Sequence, residues 1–266
     1  MMIVYFFKKK TSYKETYISY TKNNMQTVKD IRNKFVELYE NKEFVIDKNG
    51  GRVIELIGES FIADENYIFG IPNEDYLKKE LEWYKSMSLN VNDIPGGAPK
   101  IWKQVADKDG KINSNYGWMI WSSDNYHQYA NVFHELLTNK DSRRATMIYQ
   151  RPSMWDDYDK YGMSDFVCTF ATTHYIRNKE LITHVLQRSC DAFCGYRNDK
   201  AWHEFVLNRL YDDLRDHGVQ LELKKMIYTN GSLHIYDRQF YLLEHYIKTG
   251  ETHITKEDFK NKYGEL

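Results

Sequence analysis

Cysteine is scarce and metal-ligand spacing is missing. The 266 residues carry three cysteines, an odd number, and no CxxC or HExxH run. Such a set argues for reduced thiols rather than a disulfide framework, and leaves no sequence signature of a metal site. An excess of one charge is lacking too. With 37 basic and 38 acidic side chains the formal net charge is −1. No general electrostatic pull toward nucleic acid or a membrane surface is expected from that balance. Long apolar runs are also absent. The stretch Met1-Met2-Ile3-Val4-Tyr5-Phe6-Phe7 is short and is followed, not preceded, by three lysines. Its length and charge order fit neither a secretory leader nor a membrane span. No internal repeat is visible. The expectation is a cytoplasmic protein, whose ligand, if anionic, is small enough for a few arginines.

The length suits one sizeable core. Residues 1–24 are rich in Lys, Tyr and Asn without a clear period and read as an N-terminal arm, leaving 25–266 as a single domain. Val28, Ile31, Phe35 and Leu38 recur at helical spacing. The turn Asp47-Lys48-Asn49-Gly50-Gly51 leads into strand-like Val53 to Ile57. Tyr76, Leu77, Glu80, Leu81 and Tyr84 again fall at three- and four-residue steps, as do Tyr126, Tyr129, Val132, Phe133 and Leu136. Pro95, Gly96, Gly97 and Pro99 mark a loop between them. From Ala145 the pattern turns to strands. Thr169–Ile176 and Leu181–Gln187 flank a hairpin turn at Arg177-Asn178-Lys179. A helix over about Lys200–Arg215, strands Leu221–Tyr228 and Ser232–Tyr236, and a helix near Arg238–Lys248 complete the pattern. Strands and helices without strict alternation predict an α+β fold.

On residue type alone the chemistry stays open. Cys168, in Asp165-Phe166-Val167-Cys168-Thr169-Phe170, reads as a small buried hydrophobe or as a nucleophile. Glu80 reads as one of several solvated acids, or as a buried carboxyl with a raised pKa. Arg143-Arg144 and Arg188 read as turn arginines or as phosphate forks. Asp199 reads as a helix N-cap, since Asn198-Asp199 precedes a helical pattern, or as a ligand-facing carboxyl.

In their order along the chain these segments resemble the thymidylate synthase family over roughly residues 26–256. Gln187-Arg188-Ser189-Cys190-Asp191 and Ser142-Arg143-Arg144 are the most specific parts. The resemblance implies an α+β thymidylate synthase-like fold, a mixed sheet packed with helices, and a homodimer through the sheet face. It implies Cys168 as the nucleophile that attacks a pyrimidine ring, and Glu80 as the organiser of water and proton transfers. Arg188, Ser189 and Lys48 would hold the phosphate, with Arg143 and Arg144 reaching across to the partner's site. His234 and Tyr236, in His-x-Tyr, would contact the sugar, and Tyr116 would lie near the nucleophile. Trp102 and Asp191 would meet the co-substrate, 5,10-methylenetetrahydrofolate. No metal is implied.

The chain also departs from the family's pattern. Phe166-Val167-Cys168-Thr169 replaces the usual Pro-Pro-Cys-His, and Lys48 stands where an arginine is common. The final residues, Tyr263-Gly264-Glu265-Leu266, lack the family's apolar tail. Asp199 stands where the family commonly has an asparagine. An amide suits uracil, which has a carbonyl at position 4 and a hydrogen on ring nitrogen 3. A carboxyl group suits cytosine, with its amino group and bare nitrogen. A mismatch would leave unpaired polar groups costing about 1–3 kcal/mol each. The resemblance is therefore closest to the bacteriophage branch that hydroxymethylates deoxycytidylate. Its implied setting is the cytoplasm of an infected bacterial cell, with a phage nucleotide-synthesis complex as a further partner. Methylation of dCMP or dUMP, hydroxymethylation of CMP, and non-catalytic nucleotide binding are the alternatives.

Overall fold

The computed structural model describes residues 25–264, so the expected N-terminal arm and Glu265–Leu266 lie outside the described residues. The chain opens with β1 (Gln26–Thr27) and α1 (Val28–Glu40), where Thr27 and Asp30 form a capping box. Val28, Ile31 and Phe35 form the buried stripe of α1. β2 (Val45–Ile46) and β3 (Arg52–Ile62) follow, then α2 (Glu74–Ser86), α3 (Lys100–Val105), α4 (Tyr116–Trp121) and α5 (Gln128–Thr138). Next come β4 (Thr146–Ile148), α6 (Met154–Asp157), β5 (Thr169–Arg177), β6 (Glu180–Asp191) and α7 (Gly195–Asp216). β7 (Leu223–Tyr236), α8 (Phe240–Thr249) and α9 (Lys256–Tyr263) close the domain.

The strands form one mixed sheet in the order β1-β3-β7-β6-β5-β4, with β2 paired to β3. β6 runs parallel to β7, while β3 is antiparallel to β7 and β5 antiparallel to β6. This is the expected α+β class. β5 and β6 meet in a two-residue turn, Asn178-Lys179, and both residues have positive φ (50° and 63°). That backbone twist matches the twist of paired strands. One face of the sheet is covered: Leu181, Val185, Met226, Tyr228 and Phe61 pack there with Tyr196, Trp202 and Leu210 of α7. The opposite face carries Tyr175, Ile182, His184, Leu186, Ile227 and Thr229, all half-buried.

Two expectations need correction. Leu221–Tyr228 and Ser232–Tyr236 are not separate strands. β7 runs unbroken through Gly231, held by β3 on one side and β6 on the other. A side chain on Gly231 would meet the Arg188 carbonyl at 2.7 Å, so glycine there permits close strand approach rather than a turn. The helix expected from about Lys200 instead starts at Gly195. Asp191 turns the chain into it, its Oδ1 accepting from the backbone N–H of Phe193 (2.7 Å) and Cys194 (3.1 Å). Asp199 therefore lies inside α7 and is not its N-cap.

Candidate active site

A cleft of about 730 Å³ opens between α2, α3, the segment leading into β5, the end of β6 and the start of α7. That is ample for a small-molecule ligand. Antiparallel pairing builds its floor. The Arg188 backbone N–H donates to the Cys168 carbonyl (2.9 Å), so a nucleophile candidate and an arginine 20 residues apart become neighbours. The Arg188 guanidinium folds back over the segment before β5. It donates to the carbonyls of Phe166 (2.6 Å) and Val167 (3.1 Å) and lies 3.8 Å from Cys168 Sγ.

Cys168 is half-buried on the cleft wall. Its thiol pKa is pushed up to about 12, first by burial and then by the Asp199 carboxyl, with Arg188 pulling the other way. The thiol of the free site is therefore protonated. Asp199 reaches the cleft from the second turn of α7. Gln187 Nε2 donates to Oδ2 at 2.7 Å and the Tyr116 hydroxyl donates to Oδ1 at 3.3 Å. Burial raises this carboxyl to about 7, and those two donors oppose the shift. Thr169, next to Cys168, donates to the Tyr116 hydroxyl (3.2 Å), tying α4 to β5.

Glu80 is buried on α2, whereas Glu82 on the same helix points to solvent. Its Oε1 accepts from the Tyr76 hydroxyl one turn earlier and from Trp102 Nε1 (3.2 Å). Burial raises its pKa to about 7; the Tyr76 donor opposes that, and the Asp199 charge adds to it. Trp102 also donates to the Tyr76 hydroxyl (2.8 Å), so three side chains lock together on one wall. α2 and α4 can approach this closely because Gly117 has no Cβ. One there would lie 1.8 Å from the Tyr84 carbonyl oxygen.

Of the residues singled out from sequence, Cys168, Glu80, Asp199, Tyr116, Arg188, Trp102 and Asp191 share this cleft. The others do not line it. Lys48 is exposed in the turn before β3. Arg143 and Arg144 are exposed between α5 and β4, where Arg144 pairs with Glu135 (3.0 Å). Arg143 edges the sheet face opposite the core, beside Tyr175 and Arg177. Ser189 stands in register with Ser232, and His234 with Asp191. The His234 ring packs on Tyr236 with centroids 5.0 Å apart.

Three cleft residues, Tyr76, Asp165 and Arg197, and one that supports Asp199, Gln187, carried no role in the sequence. Tyr76 was visible only as a position four residues before Glu80. Gln187 was part of a recognised run without a role of its own. Asp165 is buried on the wall and accepts from the backbone N–H groups of Asn113 and Ser114 (2.7 Å each). Arg197 lines the cleft and lies over Phe193, 4.6 Å from the ring centroid. Nothing in the local pattern of these last two distinguishes them from structural residues. Among the described residues no helix is long and apolar enough to cross a membrane, and no cluster of potential metal ligands occurs.

A family model described as "Thymidylate synthase" matches residues 74–263. The deoxycytidylate 5-hydroxymethyltransferase of Enterobacteria phage T4 is 52% identical over 243 residues, covering 91% of this chain and 99% of that protein. The protein of the same name from phage T2 is 51% identical over the same extent. A thymidylate synthase of Buchnera aphidicola subsp. Acyrthosiphon pisum is 27% identical over 170 residues, 61% of this chain and 60% of that protein.

Proposed function

The chain belongs to the thymidylate synthase family, and on that footing we propose that it is a deoxycytidylate 5-hydroxymethyltransferase. It transfers the one-carbon unit of 5,10-methylenetetrahydrofolate, with water, to carbon 5 of dCMP and gives 5-hydroxymethyl-dCMP, a precursor for modified phage DNA. One observation carries the base assignment: a titratable carboxyl, Asp199, shares the cleft with the Cys168 thiol. A pKa of about 7 keeps a large fraction of that carboxyl protonated near neutrality. A protonated Asp199 donates to cytosine nitrogen 3 and accepts from the amino group.

Cys168 attacks carbon 6, forming a carbon–sulfur bond at the expense of the 5,6 double bond and making carbon 5 nucleophilic. Carbon 5 takes up the one-carbon unit and gives up its proton as tetrahydrofolate leaves, and the carbon–sulfur bond breaks when the double bond re-forms in the product. Asp199 couples base recognition to this step. Its negative charge helps hold the thiol neutral, so an Asp199 that enters the complex protonated removes a barrier to thiolate formation. Arg188 supplies the opposing positive charge. Glu80, fixed by Tyr76 and Trp102, holds the water that completes the CH₂OH group and moves its proton. The folate supplies a carbon at the oxidation level of formaldehyde. The Trp102 ring and the Asp191 carboxylate offer an aromatic face and an acceptor for a flat, amino-bearing ring on the same cleft.

The phosphate is assigned to Arg188, Ser189 and Lys48, with Arg143 and Arg144 reaching from a partner subunit. His234 and Tyr236 are assigned to the sugar. The half-buried sheet face of Tyr175, Ile182, His184 and Ile227 is the proposed dimer surface, and Arg143 stands at its edge. The setting is the cytoplasm of the infected host. Incubation with methylenetetrahydrofolate and either dCMP or dUMP, followed by mass spectrometry, tests the reading. It expects a dCMP product heavier by CH₂O. A gain of CH₂ identifies a methylase instead, and no product from either nucleotide points to a binding protein.

A further inference from the structure

Asp199 and His203 stand one turn apart on α7, yet of the two only Asp199 lines the cleft. A longer route joins them, leaving the helix and returning to it. His203 Nε2 lies 3.2 Å from Thr169 Oγ1 in β5. Thr169 Oγ1 donates to the Tyr116 hydroxyl of α4 at 3.2 Å, and that hydroxyl donates to Asp199 Oδ1 at 3.3 Å. Gln187 Nε2 of β6 donates to the other carboxyl oxygen, Oδ2, at 2.7 Å. His203, Thr169, Tyr116 and Gln187 are all buried. The Tyr116 and His203 rings also stack, with centroids 6.0 Å apart and 27° between their planes. The mechanism above uses Tyr116 and Asp199 but gives His203 nothing to do.

A hydroxyl carries one hydrogen, so this chain has a direction. Thr169 gives its hydrogen to Tyr116, and Tyr116 gives its own to Asp199. Toward His203, Thr169 Oγ1 can then only accept, which requires a hydrogen on Nε2. Gln187 Nε2, 3.5 Å from the same oxygen, is a weaker second donor. His203 is neutral, since burial, with His174 adding to it, pushes its pKa down to about 3. A neutral imidazole has one N–H, so Nδ1 is bare, and it has no hydrogen-bond partner among the described residues. The other tautomer would bury an N–H with nothing to accept it. It would also reverse the chain: Thr169 would donate to Nε2, Tyr116 to Thr169, and Asp199 Oδ1 would lose its donor.

We propose that His203 is a positioning residue for base recognition: its Nε2–H, acting through Thr169 and Tyr116, keeps a donor on Asp199 Oδ1 and so fixes the carboxyl toward the cleft. This rests on the assignment of Asp199 to cytosine and extends it to a residue that does not line the cleft. Between Tyr116 and Gln187 both oxygens are held, so the plane of the carboxyl is set before a ligand arrives. Lone pairs that those donors leave unused can accept from the amino group of cytosine. An acceptor already in place loses little freedom when the base binds. Uracil has a carbonyl at that position and gains nothing from it. Thr169 directly follows Cys168, so the same chain also steadies the backbone beside the thiol.

Two measurements test the chain and its purpose. In protein labelled with nitrogen-15 histidine, NMR reads which ring nitrogen carries the hydrogen, and the signal missing from His203→Phe identifies His203. The ring should be neutral with its hydrogen on Nε2. A hydrogen on Nδ1 reverses the chain and overturns the inference. Calorimetry then measures dCMP and dUMP binding to His203→Phe, Thr169→Val, the double variant and their parent. Each single variant should bind dCMP about tenfold more weakly, with dUMP binding unchanged. The double variant should lose no more than the worse single one, because both cut one chain. His203→Gln, whose amide offers an N–H again, should recover most of the loss. Equal losses for both nucleotides, additive losses in the double variant, or a glutamine no better than phenylalanine makes His203 a packing residue and overturns the inference. His203→Leu carries the same test should phenylalanine prevent folding. A parent with no preference for dCMP fails the cytosine assignment itself and takes the inference with it, a result distinct from the others.

Discussion

A carboxyl and a thiol on one wall make an unfavourable pair when both ionise, and at the residue scale this tension organises the site. Cys168 is held neutral by burial and by Asp199, and Asp199 is itself raised to about 7 by burial. A raised carboxyl has a thermodynamic signature. Between the ordinary carboxylate range and about pH 7 the folded chain binds more protons than the unfolded one, so stability falls as pH rises through that window. Below the ordinary range both states are protonated and the penalty disappears. Asp199→Asn cannot ionise. Thermal unfolding should therefore find the variant more stable than the parent near pH 8, with the gap narrowing toward about pH 5. On the proposed base assignment the same substitution presents an amide to the base. Turnover assays should show the preference for dCMP lost and activity displaced toward dUMP. A variant that melts like its parent at every pH would mean that Asp199 is not raised.

At the scale of elements the site depends on close approaches. α4 delivers Tyr116 to Asp199 because Gly117 lets it lie against α2. A methyl group there would collide with the Tyr84 carbonyl, which cannot swing away. Gly117→Ala should cost about 3 kcal/mol of stability in denaturant titrations. It should also lower turnover by separating Tyr116 from Asp199. Such approaches explain which parts of the chain were legible. The stripe Val28, Ile31, Phe35 and the alternation of β5 and β6 could be read because they serve one buried face each. The meeting of Cys168 with Arg188 followed from motif order and is realised by strand pairing. The start of α7 was misplaced because Asp191 satisfies two N–H groups in a turn whose partners cannot be seen from spacing. β7 was split at Gly231 because a glycine signals a turn unless the neighbouring strand is known. Tyr76, Asp165 and Gln187 were missed because they act through contacts with other side chains or with distant backbone, and local sequence encodes no such contacts.

At the scale of the whole molecule, among the described residues one face of the sheet carries the core and the other does not. Tyr175, Ile182, His184 and Ile227 on the second face are the dimer surface proposed above, which a two-fold axis would pair with itself. Arg143 stands at its rim, outside the cleft of its own chain. An arginine so placed serves phosphate binding only if a second subunit brings it to the other site. That geometry can be tested without a structure of the dimer. Cys168→Ser lacks the proposed nucleophile and Arg143→Ala the proposed shared guanidinium, so on the shared-site reading each is nearly inactive by itself. Dissociated, mixed and reassociated at random, half of the dimers contain one chain of each kind. In those, the chain that keeps Cys168 receives Arg143 from its partner, and one of the two sites is complete. Activity should rise to about a quarter of the parent value per site. If Arg143 instead serves its own chain, each site in the mixed dimer lacks one of the two groups and mixing restores nothing. A chain that runs as a monomer at catalytic concentration would remove the shared-site assignment altogether.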